Sequence, residues 1–237
     1  MSKVAYITGG SKGIGLGIAE ALLAEGYRVA ITARTQKDID TAVDNLSKIG
    51  KGEILGLQSN VKNLADEEYA IQQVLDKWGQ LDVCIANAGV GRFAPIDEIS
   101  SEDWNAVIDT NLTGVFHTVK ASIPALKASK GYIITIASLA GTNFFQRGAA
   151  YNASEFRLVG FTQAVMLDVR PYEIKTTTIM PGSVATYFNG RTPSPSDSWK
   201  IQPEDIGQMV VDLLRMNPRT LPSKVEVRPT VPPSARK

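Results

Sequence analysis

The stretch "YNASEFRLVGF", residues 151–161, sets Tyr151 four positions ahead of Glu155 inside an apolar run. On a helix that spacing is about one turn, so phenol and carboxyl share a face and each senses the other's charge. A phenol is a proton donor with an ordinary pKa of about 10, and a carboxylate beside it opposes its ionisation. The pair reads either as a plain helix surface or as a proton-transferring tyrosine whose neighbour carries the wrong charge.

A second stretch, "TGGSKGIG" from Thr8 to Gly15, follows an apolar run and leads into a helical one. Gly9, Gly13 and Gly15 permit a tight turn and let backbone approach a pyrophosphate seated on the amides of the helix start, with Ser11, Lys12 and Ile14 in the same turn. The position between a strand and a helix makes a dinucleotide the expected ligand. The next strand ends in "ITARTQKD", where Arg34 stands in place of an acid that would take the ribose hydroxyls. Arg34 with Lys12 suits a 2′-phosphate, so NADP(H) is expected over NAD.

The elements that must position these groups are legible as alternating patterns. Short β-branched runs, "VAYIT", "RVAIT", "EILGLQ", "LDVCIA", "GYIITIAS", "KTTTIM" and "KVEV", alternate with helical stretches starting near Gly13, Thr35, Asn63, Ser101, Ala149 and Pro203. That alternation predicts a doubly wound α/β fold: about seven parallel strands with helices on both faces, in one domain over 1–237. Ser100 and Asp103 have capping-box spacing, and Pro124 predicts a kink or break late in its helix. Residues 183–202 read as a loop on the substrate side, with "NGRTPSPSDSWK" at the surface, and 229–237 as a flexible tail.

Composition excludes several function classes. Twenty-five Lys and Arg balance twenty-four Asp and Glu, without a charge run, so nucleic acid is not an expected partner. The single cysteine, Cys84, permits no internal disulfide and is compatible with a reducing compartment. No Cys/His cluster suggests a metal, and no signal or membrane-spanning pattern is read, so a cytoplasmic location is expected.

Over nearly its whole length the chain resembles the classical short-chain dehydrogenase/reductases, and is similar to 3-oxoacyl-carrier-protein reductases and small ketone reductases. The resemblance rests on "TGGSKGIG", "NAG" at Asn87–Gly89, "NLTG" from Asn111, Ser138, Tyr151 and "PGSVAT" from Pro181, in that order. It implies Tyr151 as general acid or base for a carbonyl/alcohol pair. Ser138 would hydrogen-bond the carbonyl oxygen, and Asn111 would bend its helix and hold a relay water. Asn87, Ala88 and Gly89 would wall the adenosine ribose; Pro181, Gly182, Val184 and Thr186 would lie along the nicotinamide. Asn60, followed by Val61, stands where the family has an aspartate facing adenine, and an amide oxygen can still accept that bond.

Glu155 is the larger departure, because the family has lysine there. That lysine lowers the tyrosine pKa and donates to the nicotinamide ribose; an ionised glutamate would reverse the first effect, each charge being worth about 3 kcal/mol at ~5 Å and an effective dielectric of about 20. Arg157, two positions on, points to another face. An impaired reductase, a relocated proton relay and a non-catalytic NADP-binding sensor all remain open. Around the expected carbonyl position, Phe93, Phe144, Phe145, Gln146, Tyr187 and Phe188 suggest an apolar or aromatic ketone or aldehyde. Arg92, Arg147 and Arg191 are candidates for a basic entrance, and His117 reads as a packing residue. The helix from Tyr151 to Val169 is apolar on more than one face, which predicts a homo-oligomer, dimer or tetramer.

Overall fold

The computed structural model describes residues 2–49 and 51–231. Seven parallel strands form one sheet: β1 (Val4–Thr8), β2 (Arg28–Ala33), β3 (Ile54–Gln58), β4 (Val83–Ala86), β5 (Tyr132–Ile136), β6 (Lys175–Pro181) and β7 (Lys224–Val227). Their order is β3-β2-β1-β4-β5-β6-β7. The order therefore reverses beside β1, where Thr8 pairs in register with Thr32 of β2, and Ile7 with Ile85 of β4. Ligands of open α/β sheets bind outside the carboxyl ends of the strands at such a reversal.

Both faces of the sheet are covered, which is why its central strands are apolar without alternation. Ala5 and Ile7 face a core built from Ile18 and Leu22 of α1 (Gly13–Ala24), Ala42 and Leu46 of α2 (Gln36–Leu46), and Val210 of α7 (Pro203–Arg215). Val4 and Tyr6 face the opposite core, with Val74 of α3 (Leu64–Trp78), Val119 of α5 (Gly114–Ser129) and Leu158 of α6 (Ala149–Val169). The seven-strand, single-domain expectation holds. "LDVCIA" and "GYIITIAS" overreach the ends of β4 and β5.

Two local expectations need correction. Ser100 accepts from the Asp103 amide at 3.0 Å, capping α4 (Ser101–Ile108), but the Asp103 carboxylate turns to Arg92 Nε at 3.0 Å instead of closing the box. Pro124 does not end its helix, since α5 runs on to Ser129. A separate distortion lies earlier, where Asp109–Thr113 forms a π turn between α4 and α5, the kind of widening that clusters at functional sites.

The 183–202 segment is more ordered than a free surface loop. It carries two 3₁₀ turns, Phe188–Gly190 and Pro195–Asp197, and returns along a parallel bridge between Val184 and Ile201. Residues 229–231 have no helix or strand, and the rest of the expected tail lies outside the described residues. Among the described residues no helix is long and apolar enough to cross a membrane, and no His/Cys/Asp/Glu group could hold a metal.

Candidate active site

One cleft of about 1410 Å³ opens at the carboxyl ends of the strands, larger than most small-molecule sites. Its floor is the turn from β1 to α1. Gly9 is left-handed at φ 64°, and a Cβ there would sit 3.0 Å from the Ala88 backbone. Gly15 does not line the cleft; it lies beneath the turn, where a Cβ would meet the Gly9 carbonyl at 2.4 Å. Its role is to let helix and turn approach. No side chain caps the α1 start at Lys12, so its first amides stay open toward the cleft. Asn87 ties β4 to this turn, its Nδ2 donating to the Thr8 carbonyl at 2.8 Å while the Thr8 hydroxyl accepts from the Asn87 and Ala88 amides.

Gly9, Ser11, Lys12, Gly13 and Ile14 all line the cleft, with Arg34 at the end of β2 and Asn60 and Val61 beyond β3. Sequence reasoning missed Asp38, which lines the same corner and pairs with Lys12 at 3.3 Å. The basic corner therefore contains an acid on the first turn of α2, beyond the end of β2. Asn60 accepts from the Lys62 amide at 3.3 Å. Behind this turn lies a second missed residue, Glu67, fully buried on α3. It receives the Ser59 hydroxyl at 2.5 Å, that of Thr118 at 2.7 Å and the Tyr6 phenol at 3.1 Å. Burial holds its carboxyl above the ordinary range. His117, next to Thr118, contacts the Val61 carbonyl at 2.9 Å through Nδ1, a packing role.

At the other end of the cleft, β5 delivers Ser138, the N-cap of a 3₁₀ turn at Leu139–Gly141, and α6 delivers Tyr151 and Glu155. Burial and the adjacent Glu155 push the Tyr151 phenol well above its ordinary value, and a hydrogen bond with Ser138 offsets part of that. The π turn aims Asn111 inward. Its Oδ1 accepts from the Val90 amide at 2.9 Å, and its Nδ2 serves the Val90 carbonyl at 3.0 Å and both Ser154 Oγ and Glu155 Oε1 at 3.3 Å.

Glu155 is 4% exposed, and its Oε2 has no hydrogen-bond partner among the described residues. Burial raises its carboxyl to about 8, with Asn111 pulling the other way. Burial therefore works against the charge reversal expected from the sequence. It favours the neutral acid over the carboxylate at this position. Arg157 is exposed and supplies no substitute.

The Tyr151 ring is enclosed by aromatic side chains: Phe93 and Phe188 each at 5.5 Å between centroids, and Phe145 at 6.4 Å. Asn152 anchors Phe145, accepting from its amide at 3.4 Å while donating to the Ala140 carbonyl at 2.9 Å. Gln146 and Tyr187 also line the cleft. Phe144 does not: it is 68% exposed and packs on Phe156 at 6.1 Å. Ala88, Gly89, Pro181, Gly182, Val184 and Thr186 close the wall between the two ends, and Arg92, Arg147 and Arg191 line it too.

A 3-oxoacyl-[acyl-carrier-protein] reductase of Synechocystis sp. is 37% identical over 187 residues, 78% of this chain and 75% of that protein. An alcohol dehydrogenase from the archaeon Thermococcus sibiricus, complexed with 5-hydroxy-NADP, superposes with a TM-score of 0.92 at 28% identity, covering 100% of this chain and 99% of that one. A single-residue variant of the actinorhodin polyketide ketoreductase, solved with NADPH, gives 0.87 at 29% identity over 96% of both chains. The short chain dehydrogenase profile matches residues 3–196, and with the site assembled as described the chain belongs to that family.

Proposed function

We propose that this protein is an NADPH-dependent oxidoreductase that reduces a ketone or aldehyde to the alcohol and can run the reverse reaction. The observation that carries the reading is the convergence of Tyr151, Ser138 and the glycine turn on one cleft. The residues fit a dinucleotide: a Cβ at Gly9 would crowd the opposite wall, and the α1 amides are uncapped. Gly9, Ser11, Gly13 and Ile14 would hold the pyrophosphate, Arg34 the 2′-phosphate, and Asn60 the adenine. The solved relatives complexed with NADP-type cofactors support the same choice.

A reduced nicotinamide supplies hydride when bound. The Tyr151 phenol gives its proton to the substrate oxygen, and the Ser138 hydroxyl donates to that oxygen as its charge develops. Phe93, Phe145 and Phe188 hold an apolar or aromatic carbonyl compound against the phenol and exclude water. With no cation beside Tyr151 among the described residues, the phenolate left by proton transfer is poorly stabilised, so turnover is slow at neutral pH.

The missing cation also favours a second reading, an NADP-binding sensor without turnover. Assaying NADPH oxidation with reactive ketones beside cofactor titration separates the two. Tight NADPH binding with slow, Tyr151-dependent turnover supports the reductase. Binding with no turnover supports the sensor, and no binding sinks both.

A further inference from the structure

Glu67 carries a carboxyl that is fully buried yet lines no part of the cleft. A carboxyl so placed is costly unless its oxygens are bonded, and three hydroxyls converge on it. Ser59 and Tyr6 both donate to Oε1, at 2.5 and 3.1 Å, and Thr118 donates to Oε2 at 2.7 Å. The donors come from three separate places, the turn after β3, β1 and α5. An apolar residue would fill the same space and leave all three hydroxyls without their acceptor.

Only one of these donors belongs to the cleft. Ser59 lines it, as do Asn60 and Val61 that follow, whereas Tyr6 and Thr118 do not. β3 is an edge strand, so the turn leaving it has a strand neighbour on one side alone, where the Ser59 amide donates to the Ala33 carbonyl at 3.0 Å. The remaining restraint comes from helices. Asp66 Oδ2 accepts from the Asn60 amide at 3.1 Å in an exposed bond, and His117 Nδ1 reaches the Val61 carbonyl at 2.9 Å. Val61 also packs closely on Gly114, where a Cβ would stand 2.6 Å from Val61 Cγ2. Of the polar ties from the helices, the bond between Ser59 and Glu67 is the shortest and the most deeply buried, so water does not compete for it.

We infer that Glu67 is a positioning residue for cofactor binding: through the Ser59 hydroxyl it fixes the turn 59–61 as the wall for the adenine half of the dinucleotide, without touching the ligand. The inference rests on the dinucleotide reading of the cleft. Asn60 serves adenine best from a backbone that is already in place, because a turn free to shift must be ordered at each binding event, and that ordering lowers affinity. The same carboxyl ties Tyr6 and Thr118, but those bonds join β1 and α5 to α3 behind the wall. Losing any one of the three hydroxyls removes a buried bond to Glu67; losing that of Ser59 alone releases the wall.

The test compares deletions around the carboxyl. NADPH and 2′,5′-ADP, which carries the adenine and the 2′-phosphate but no nicotinamide, are titrated against the unaltered chain and against Ser59→Ala, Thr118→Val, Tyr6→Phe and Glu67→Met, with a thermal melt of each. Ser59→Ala and Glu67→Met should weaken both ligands by the same factor, about tenfold, because the loss lies wholly in the adenine half. Thr118→Val and Tyr6→Phe should lower Tm at least as much as Ser59→Ala does, while leaving both dissociation constants within about twofold. Ser59→Ala combined with Glu67→Met should bind no more weakly than Glu67→Met alone, which separates a hydroxyl acting through Glu67 from one that meets the ligand itself. Should Glu67→Met not fold, Glu67→Gln, which keeps the shape and one acceptor, takes its place in that comparison. Equal loss of affinity in all four variants, unaltered 2′,5′-ADP binding by Ser59→Ala, a larger loss for NADPH than for 2′,5′-ADP, or additive losses in the double variant would overturn the inference while leaving the dinucleotide reading intact. Failure of the unaltered chain to bind either ligand would overturn both.

Discussion

Tyr151 and Glu155 stand one turn apart on α6, the first half-buried at the cleft and the second buried, and neither ionises easily beside the other. The sequence places the two groups on one face; the depth of burial decides what they are. Replacing a neutral acid by an ammonium adds one favourable charge at the phenol, about 3 kcal/mol by Coulomb's law at an effective dielectric near 20. Glu155→Lys should therefore raise turnover at neutral pH by about a hundredfold. Tyr151→Phe in that background should abolish the gain. A rate unchanged by Glu155→Lys would refute the account of a tyrosine lacking its cation.

Cofactor choice follows from the corner formed by Lys12, Arg34 and Asp38. NADPH should bind at least tenfold more tightly than NADH, a charge-assisted arginine–phosphate contact being worth about 1.5 to 3 kcal/mol. Because Asp38 engages Lys12, Asp38→Asn should tighten NADPH by a few-fold and leave NADH nearly unchanged. Arg34→Asp should erase or invert the preference. Equal dissociation constants for the two dinucleotides would remove the basis for all three expectations.

Stability should carry the signature of Glu155. Its carboxyl holds a proton more tightly when folded, at about 8 against an ordinary 4.5, so raising pH between those values favours the unfolded chain. The penalty is absent below about 4.5 and complete above about 8, and is on the order of 3 to 5 kcal/mol. Thermal melts of the chain and of Glu155→Gln should diverge progressively across that window, the glutamine form gaining. Parallel Tm profiles from pH 5 to 9 would show that the carboxyl is ionised in the fold.

The exposed face of α6 should be covered in solution. Phe156 and Leu167 on α6 are 59% and 61% exposed, and Phe116 on α5 is 41% exposed. These are large apolar groups to leave in water on adjacent helices. Light scattering at micromolar concentration should give the mass of a dimer or tetramer; a monomeric mass would contradict this.

How much of this was legible depended on whether local pattern or tertiary depth decided the outcome. "VAYIT" and "KVEV" match β1 and β7 residue for residue, because β-branched runs between turns leave few alternatives. The glycine turn was legible for the same reason. Glu67 was not: "LADEEY" reads as the acidic first turn of a surface helix, and its burial comes from hydroxyls on β1, α5 and the turn after β3. Phe144 and Phe145 were indistinguishable as neighbours, yet one lines the cleft and the other packs outside it on Phe156. The burial of Glu155 was likewise hidden, since a helix apolar on several faces does not reveal how deep any one side chain lies.

The return of the 183–202 segment along the Val184–Ile201 bridge has an optical consequence. It sets Trp199 in the cleft wall, with Lys200 Nζ 5.6 Å from its ring, whereas Trp78 and Trp104 line no part of that cleft. Indole emission overlaps the absorption band of a dihydronicotinamide. Excitation of Trp199 should therefore pass to a reduced cofactor bound beside it, and the chain carries its own lamp for watching the cleft fill.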